Sequence, residues 1–458
     1  MKRFAKIITL VVVLVAVLAV SAFAADFEHC ADALKDMGLF QGTSKGYELD
    51  RAPNRAEAAT MLVRLLGQEE AAKELEYTAP FTDVQDWAKP YVQYLYDNGL
   101  TNGKTATTFG YSDKCTAQQY ATFLLRALGY SDAEGGDFTY ADALKFAAEK
   151  GVADAVNCDP ENFLRDDVVA MSYTALATAP KSGEADLLTK LVKDGAVKDA
   201  KGYDDLFALY REYAAATQSD SEETKMSLGM DIDLSMKMSG VDFMSGTIAM
   251  DMAADMNAEK MDQSKMAYTA DVKMAINAAL AESMDLTEEE SKVAMAMKYY
   301  YTDGYFYMEM DGEKVKMPMS FDDVMAQMDG ITETSSAEPI SVLKSLTKST
   351  SGGTTTYSVT YATGAFNSLV DMIMDMVPAE DLGDAAMEFT SLAMDVAVRN
   401  DHIQSITMKM GMKMTAEGET MEINMDMTMD DFKTGSAVTV TLPSDLSSYQ
   451  EIIGGAAA

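Results

Sequence analysis

Two patterns of apolar positions divide the chain. From residue 26 to 216 the apolar residues recur at helical spacing, in runs that end at glycines such as Gly67 and Gly129. From about residue 226 they alternate with polar residues, as in Met230-Asp-Ile-Asp-Leu-Ser-Met-Lys-Met238. A period of two is typical of half-buried antiparallel strands. The fold is therefore predicted to be α+β, with a helical repeat module followed by an antiparallel sheet domain.

A helix-entry signature recurs in the helical half, at residues 54–67 and 116–129. Each copy opens with a capping box, in which a cap side chain and a Glu or Gln three residues later satisfy helix N–H groups reciprocally. A third, degenerate copy has Leu164 at the cap position. Such recurrence predicts three small units that share one core. The expected bounds are 25–70, 78–130 and 131–178, with a helical extension at 179–216.

The C-terminal half is predicted to be a meander of long strands with a few helices. Four of the 37 methionines precede the polar stretch 217–225, a predicted linker, so 37 minus 4, or 33, lie beyond it. Within residues 298–318, Asp303-Gly304 and Asp311-Gly312 predict two hairpin turns. The remaining predictions are helices at 321–329, 337–346 and 364–376, and strands near 355 and from 389 to 441, within a Met-rich domain at 226–443 and before a tail at 444–458.

Length and charge narrow the functional classes. A chain of 458 residues is expected to hold two or three domains. Its net charge of −36 would repel phosphate backbones, so nucleic-acid binding is not expected. Residues 1–24 have the basic start, apolar run and Ala22-Phe-Ala24 ending of a cleaved secretory signal, with an uncleaved anchor as the alternative. No later stretch is apolar enough to predict a membrane span.

The three cysteines, Cys30, Cys115 and Cys158, are too few for a disulfide scaffold. One bridge with a leftover thiol is compatible with this number, and sequence does not choose a pairing. Phe27-Glu28-His29 does not fit a lipid-attachment motif before Cys30. Cys30 is therefore expected to be an ordinary small apolar residue.

The helical half resembles the S-layer homology module over roughly residues 26–178. The residues that carry the resemblance are Asn54-Arg-Ala-Glu57 before Met61–Gly67, Phe81-Thr-Asp-Val84 with Trp87-Ala88, and Asn98–Gly103 leading to Phe109. The resemblance implies three repeats in a pseudo-threefold helical prism. It also implies non-covalent binding of an anionic secondary cell-wall polysaccharide in grooves between the repeats.

Motif matching carries the family's glycan contacts to four residues: Arg55, Glu57, Trp87 and Arg165. An arginine can hold a carboxylate-bearing sugar through paired N–H groups. The sequence departs from the motif at Ala117, which replaces the arginine, and at Leu164 and Asp167, which replace the cap and the glutamate. The alternatives are that Arg55 pairs with a nearby acid and that Trp87 packs in the core, and core packing is favoured for Trp87.

Three interpretations of the Met-rich half remain open: Cu(I) binding by thioethers, an adaptable apolar site, and a plain half-buried sheet. The plain sheet is favoured over copper binding, because Met copper sites often include histidine and the chain has only two histidines. The tyrosine-rich hairpin at 298–318 resembles lipoprotein-carrier-like open β-barrels over about 226–443. This resemblance implies a curved half-barrel whose methionines line a cavity for a lipid-like ligand.

No nucleophile elbow, phosphate-binding loop or His-Glu-x-x-His motif occurs, and His29 and His402 stand far apart. No catalysis, metal or cofactor is therefore predicted. The predicted protein is a secreted, wall-attached molecule whose sheet domain binds an apolar ligand. The alternatives are a wall hydrolase and a purely structural envelope protein.

Overall fold

The computed structural model describes residues 27–153, 157–217, 224–257, 260–283, 285–310, 312–321, 323, 338–366, 386–416 and 419–452. The predicted signal at 1–24 lies outside these residues. The helices of the first half are α1 Glu28–Asp36, α2 Arg55–Leu65, α3 Glu69–Lys73, α4 Lys89–Asp97, α5 Ala117–Ala127, α6 Ala143–Glu149, α7 Arg165–Ala177, α8 Leu187–Lys193 and α9 Tyr203–Thr217. None of the helices in the described ranges combines the length and apolarity that a membrane crossing needs.

The elements with given bounds in the described residues of the second half are twelve strands and the short helix α10 Ala278–Ser283. The strands are β1 Lys225–Met238, β2 Val241–Asp255, β3 Lys265–Ile276, β4 Lys292–Thr302, β5 Tyr305–Met310, β6 Glu313–Pro318, β7 Leu343–Ser351, β8 Thr354–Tyr361, β9 Ala386–Arg399, β10 His402–Ala416, β11 Glu419–Thr434 and β12 Gln450–Glu451. They form one open sheet in the order β12-β6-β5-β4-β3-β2-β1-β11-β10-β9-β8-β7.

Local side-chain chemistry starts the repeat helices as predicted. At α2, Asn54 Oδ1 accepts the N–H of Glu57 at 2.8 Å, and Glu57 Oε2 accepts the N–H of Asn54 at 2.9 Å. Thr116 and Gln119 make the same reciprocal pair at α5. Leu164 offers no acceptor at α7, where the Asp167 carboxylate instead accepts the N–H of Leu164.

The predicted alternation of the sheet is confirmed. Met236 pairs with Ile423 and Leu234 with Met425 across β1 and β11, and all four side chains are buried on the same face. Asp233 lies on the opposite, exposed face. Every strand pair is antiparallel except β12 with β6. Apolar burial on one face therefore sets the register of the sheet.

The predicted helix at 337–346 is wrong. The structure has a 3-10 turn at Ile340–Val342 followed by β7. Leu343 and Leu346 are three residues apart, which fits a helix, but the register between β7 and β8 shifts between Leu343 and Ser345. This bulge adds one residue and brings both leucines to the buried face of a strand. Helix predictions at 321–329 and 364–376 lie mostly outside the described residues, apart from a 3-10 turn at Thr363–Phe366.

The helical half and the sheet contact each other directly. Helix α9 lies against β7 and β8, where the rings of Tyr213 and Tyr357 are 5.7 Å apart and the Tyr357 hydroxyl donates to Glu212 at 2.9 Å. Buried apolar residues of both halves form one continuous cluster. Residues 218–223 of the predicted linker lie outside the description, and the predicted domain bounds stay predictions.

Candidate functional site

The starts of α2 and α7 receive loops from other repeats through equivalent backbone bonds. At the first junction the N–H of Arg55 donates to Asp113 O at 2.9 Å. At the third junction the N–H of Arg165 donates to Arg51 O at 3.0 Å. The chain thus connects the first repeat to the second, and the third back to the first. This closure agrees with the threefold arrangement that the family resemblance implies.

Arg55 lies at the floor of the first junction. Its guanidinium Nε donates to Phe109 O at 2.9 Å, and its Cζ lies 4.9 Å from the Phe109 ring centre and 5.4 Å from that of Phe123. The residue is 4% exposed, and burial lowers its pKa. Among the described residues, the Nη atoms of Arg55 form no recorded hydrogen bond or ion pair and are not among the fully buried unpartnered atoms. The two Nη atoms therefore keep a small exposed area at the surface of the junction, although the residue as a whole is buried.

Arg165 has the same environment at the third junction. Its Nε donates to Tyr47 O at 3.0 Å and its Cζ lies 5.8 Å from the Phe40 ring centre. Burial also lowers the pKa of this guanidinium. The recurrence of an arginine Nε bonded to a loop carbonyl above an aromatic ring shows that the two junctions share one local design.

Glu57 is occupied by protein partners at the third junction. Arg51 donates to its two oxygens at 2.9 and 2.7 Å, and the cap N–H of Asn54 donates as well. Burial would raise the pKa of Glu57, but the bonds from Arg51 and Asn54 lower it on balance. The carboxylate therefore orders the start of α2 and fixes the Arg51 side chain.

Trp87 is exposed, so the favoured interpretation that it packs in the core is wrong. The side chain is 46% exposed. Its Nε1 donates to the Tyr111 hydroxyl at 2.9 Å, with the two rings edge to face at 5.9 Å, and the Tyr111 hydroxyl donates to Gln85 at 2.8 Å. The predicted contact residues Arg55 and Trp87 are joined through one loop, because the Tyr111 carbonyl also accepts the N–H of Ala56.

Asp83 holds that loop, and the motif comparison assigned it no role. Its carboxylate accepts the N–H groups of Phe109, Gly110 and Tyr111 at 2.8, 2.7 and 3.1 Å. Burial would raise the pKa of Asp83, but these backbone donors lower it on balance. The sequence signal was present, since Asp83 lies in the Phe81–Val84 segment, but its three partners lie 26 to 28 residues away.

The other two junctions lack part of this arrangement. At the second junction α5 begins with Ala117, and Tyr140 is 48% exposed, with its carbonyl accepting from Gln118. At the third junction the aromatic residue is Phe27, which is buried and donates its N–H to Asp166 at 3.0 Å. Only the first of the three junctions, in the part of the chain described, combines a groove-facing arginine with an exposed tryptophan. No group of three potential metal ligands occurs within the described ranges, and the three cysteines are buried and are not joined in disulfides.

A family model for the S-layer homology domain matches residues 80–117. This segment of the chain is similar to the S-layer homology domain. The matched segment includes Asp83, Trp87 and Tyr111, whereas Arg55, Glu57 and Arg165 lie outside it. A family of unknown function, DUF6612, matches residues 234–447. The resemblance of this half to lipoprotein-carrier-like barrels is not confirmed.

Three curated relatives match part of the chain. A "Middle cell wall protein" of Brevibacillus brevis is 30% identical over 155 residues, covering 33% of this chain and 15% of the relative. A "Surface layer protein" of Brevibacillus choshinensis is 30% identical over 115 residues, covering 24% and 10%. An "Endoglucanase" of Bacillus sp. (strain KSM-635) is 29% identical over 109 residues, covering 21% and 12%.

The chain thus spans only 10 to 15% of the length of these relatives. The matches agree with the features of the helical half. They support a secreted protein of the cell surface that is bound to the wall.

Proposed function

We propose that the helical half attaches the protein non-covalently to an anionic secondary cell-wall polysaccharide, chiefly through the first junction. The observation that carries the proposal is that one loop, residues 109–111, contacts both the Arg55 guanidinium and the exposed Trp87 ring. A guanidinium suits a sugar carboxylate. An exposed indole presents a large rigid surface to the apolar side of a sugar ring. Together they would fix both the charge and the orientation of the ligand.

The local field of the groove supports an acidic ligand even though the chain carries a net charge of −36. Charged groups that are separated by more than about 8–10 Å are largely screened at physiological salt. The guanidinium of Arg55 has no carboxylate partner among its recorded contacts, whereas Arg51 and Arg64 are paired with Glu57 and Glu69. Arg55 therefore has no carboxylate bonded to its guanidinium among the described residues, and Asp113 acts on it only through the electrostatic field.

Trp87 supplies its own assay, because it is the single tryptophan of the chain. We expect its emission to change when purified wall polysaccharide is titrated into the full-length protein. Trp87→Ala should weaken co-sedimentation with wall fragments by about tenfold, the usual effect of removing an aromatic anchor. Tyr96→Ala removes an exposed ring at the far end of α4 and should bind like the parent. Unchanged emission and equal co-sedimentation of both variants would refute the proposal.

We also propose that the Met face of the sheet takes up an apolar, lipid-like ligand. The support is a half-buried surface over β2 to β4, where Met250, Met295 and Met297 remain partly exposed. The rings of Tyr268 and Tyr299, 5.7 Å apart, continue this surface. Thioether side chains adapt their shape to an apolar partner. A fluorescent fatty acid should bind the full-length protein and be displaced by unlabelled fatty acid, and absence of binding would leave the sheet a scaffold.

We further propose that the protein is not catalytic. The name endoglucanase describes that relative alone, and this chain matches only 12% of its length. Incubation with wall polymers and cellulose, followed by an assay for released reducing sugar, tests the proposal. Release that survives repeated purification would favour the wall-hydrolase alternative.

A further inference from the structure

The two edges of the sheet are protected very differently. At one edge β6 spans six residues and ends at Pro318, and the C-terminal segment covers it through β12 and a bond from the N–H of Ile452 to Lys316 O at 2.9 Å. At the other edge β7 spans nine residues and contains no proline. Within the described ranges, the only strand that pairs with β7 is β8. One side of β7 therefore carries backbone donors and acceptors with no recorded strand partner, the feature that templates pairing with another chain.

Helix α9 lies on a face of this region and not along its edge. Its Tyr213 ring meets Tyr357 of β8, and its Glu212 pairs with Lys348 of β7. Tyr357 and Lys348 are cross-strand neighbours, so both point toward the face that α9 covers. Among the residues that the structure describes, no other segment pairs with the outer backbone edge of β7 beside the helix.

The charge of the β7 edge is unlike that of the rest of the chain. The chain holds 73 acidic residues, yet residues 339–370 contain none. Lysines are a usual means of keeping edge strands apart, but Lys348 is neutralised by Glu212. From Thr347 to Ser351 every side chain of β7 is exposed, and all but Lys348 carry a hydroxyl. Two copies can therefore approach at this edge with little of the repulsion that their acidic surfaces cause elsewhere.

We propose that β7 pairs antiparallel with β7 of a second copy, about a two-fold axis normal to the sheet and centred on Thr347. This register places Ser345 opposite the second copy's Ser349, and Leu346 opposite its Lys348. A register centred on Lys348 would oppose two lysines, and one centred on Leu346 would oppose Lys344 with Lys348, which is destabilising.

The pairing closes as a dimer, because a two-fold contact uses the same edge of both copies and β12 covers part of the opposite edge at β6. The sheets of the two copies join with their apolar faces on the same side. A two-fold edge contact would present two copies of the helical module and two copies of the Met face.

Cysteine cross-linking of the full-length mature protein tests the contact. The natural cysteines are buried, so an introduced surface cysteine reports alone. Thr347→Cys should form a disulfide dimer under mild oxidation, since directly opposite residues of an antiparallel pair lie about 4.5–5.5 Å apart between Cα atoms. Val241→Cys, at a position that is 68% exposed in the β1–β2 hairpin, measures random collision. Equal cross-linking of the two variants would overturn the proposal.

A mixture of variants tests the register. Ser345→Cys and Ser349→Cys proteins should cross-link to each other in a mixture much faster than either does alone, since identical positions would be about 13 Å apart at four residues' rise. Equal rates in the mixture and in the separate samples would overturn the assigned register.

Sedimentation gives a readout without oxidation. Thr347→Lys opposes two charges across the axis and should weaken dimerisation by about fivefold, the upper end for a like-charged cross-strand pair. A parent protein that stays monomeric at every concentration up to the solubility limit would refute the dimer.

Discussion

Replacement of Arg55 tests whether a buried guanidinium can serve both the fold and the ligand. Arg55→Ala removes the donor to Phe109 O, the stacking over Phe109 and Phe123, and the two groove-facing Nη atoms. Hydrogen bonds to charged groups contribute about 1.5–3 kcal/mol. If the Nη pair holds a sugar carboxylate, Arg55→Ala should weaken polysaccharide binding by about 10- to 150-fold.

The fold should also lose stability, because the buried carbonyl of Phe109 is left without its guanidinium donor. An unmet buried acceptor costs about 1–3 kcal/mol, so thermal unfolding should occur at a lower temperature. Arg55→Lys keeps the charge but cannot donate to Phe109 O and present a paired fork outward at once. We expect its affinity to fall between those of the parent and of Arg55→Ala.

The assay is a titration of Trp87 emission with purified wall polysaccharide at pH 7 and fixed ionic strength. Arg64→Ala is the matched control, since Arg64 lies on the same helix and its guanidinium is paired with Glu69 at 2.9 Å. It removes the same charge away from the junction and should bind like the parent. If Arg55→Ala remains folded and binds within twofold of the parent, the direct contact is refuted. If Arg64→Ala weakens binding equally, net charge explains the effect.

Asp83→Ala should release the loop that carries Tyr111 and lower the free energy of unfolding by about 1–2 kcal/mol, after allowance for the exposure of Asp83. It should also shift the emission of Trp87 in the free protein, and an unchanged spectrum would contradict the positioning role of Asp83. Burial raises the pKa of Asp167 to about 6, above its value of about 4 in the unfolded chain. Asp167 therefore stabilises the fold most below about pH 4, and this stabilisation is lost as the pH rises through about 6. Urea unfolding should therefore show the parent losing stability relative to Asp167→Asn between pH 4 and 7, and parallel curves would count against this. A protease site inserted between residues 217 and 224 allows the two halves to be cut apart. The fragments should still co-elute in native buffer, because α9 packs on β7 and β8. Separation in native buffer would show that this contact is too weak to hold the halves together.

The helix caps could be predicted from the sequence because capping is a local interaction. The cap and its partner are three residues apart, and a helix start places them within bonding distance whatever surrounds them. The same holds for the sheet, where alternation of methionine with polar residues fixes which side chains share a face. Both halves of the fold class followed from these short-range periods.

Positions that depend on distant partners were misread. Leu343 and Leu346 fit a helix by spacing, and only pairing with β8 through a bulge makes them neighbours on a strand. Helical spacing with Tyr91 and Leu95 favours a core position for Trp87, but Trp87 lies in the turn before α4. Its exposure depends on a loop held by Asp83 across 26 to 28 residues.

The sequence alone determined where the capped repeat helices begin, which half is sheet, and which residue types could meet an acidic sugar. The tertiary structure decided that Arg55 is held under a neighbouring repeat's loop while Trp87 stays open, that one junction of three has both, and that β7 forms the less covered edge of the sheet. The physical reason is that capping and alternation act over a few residues, whereas solvent access and edge exposure depend on which distant segments cover a site.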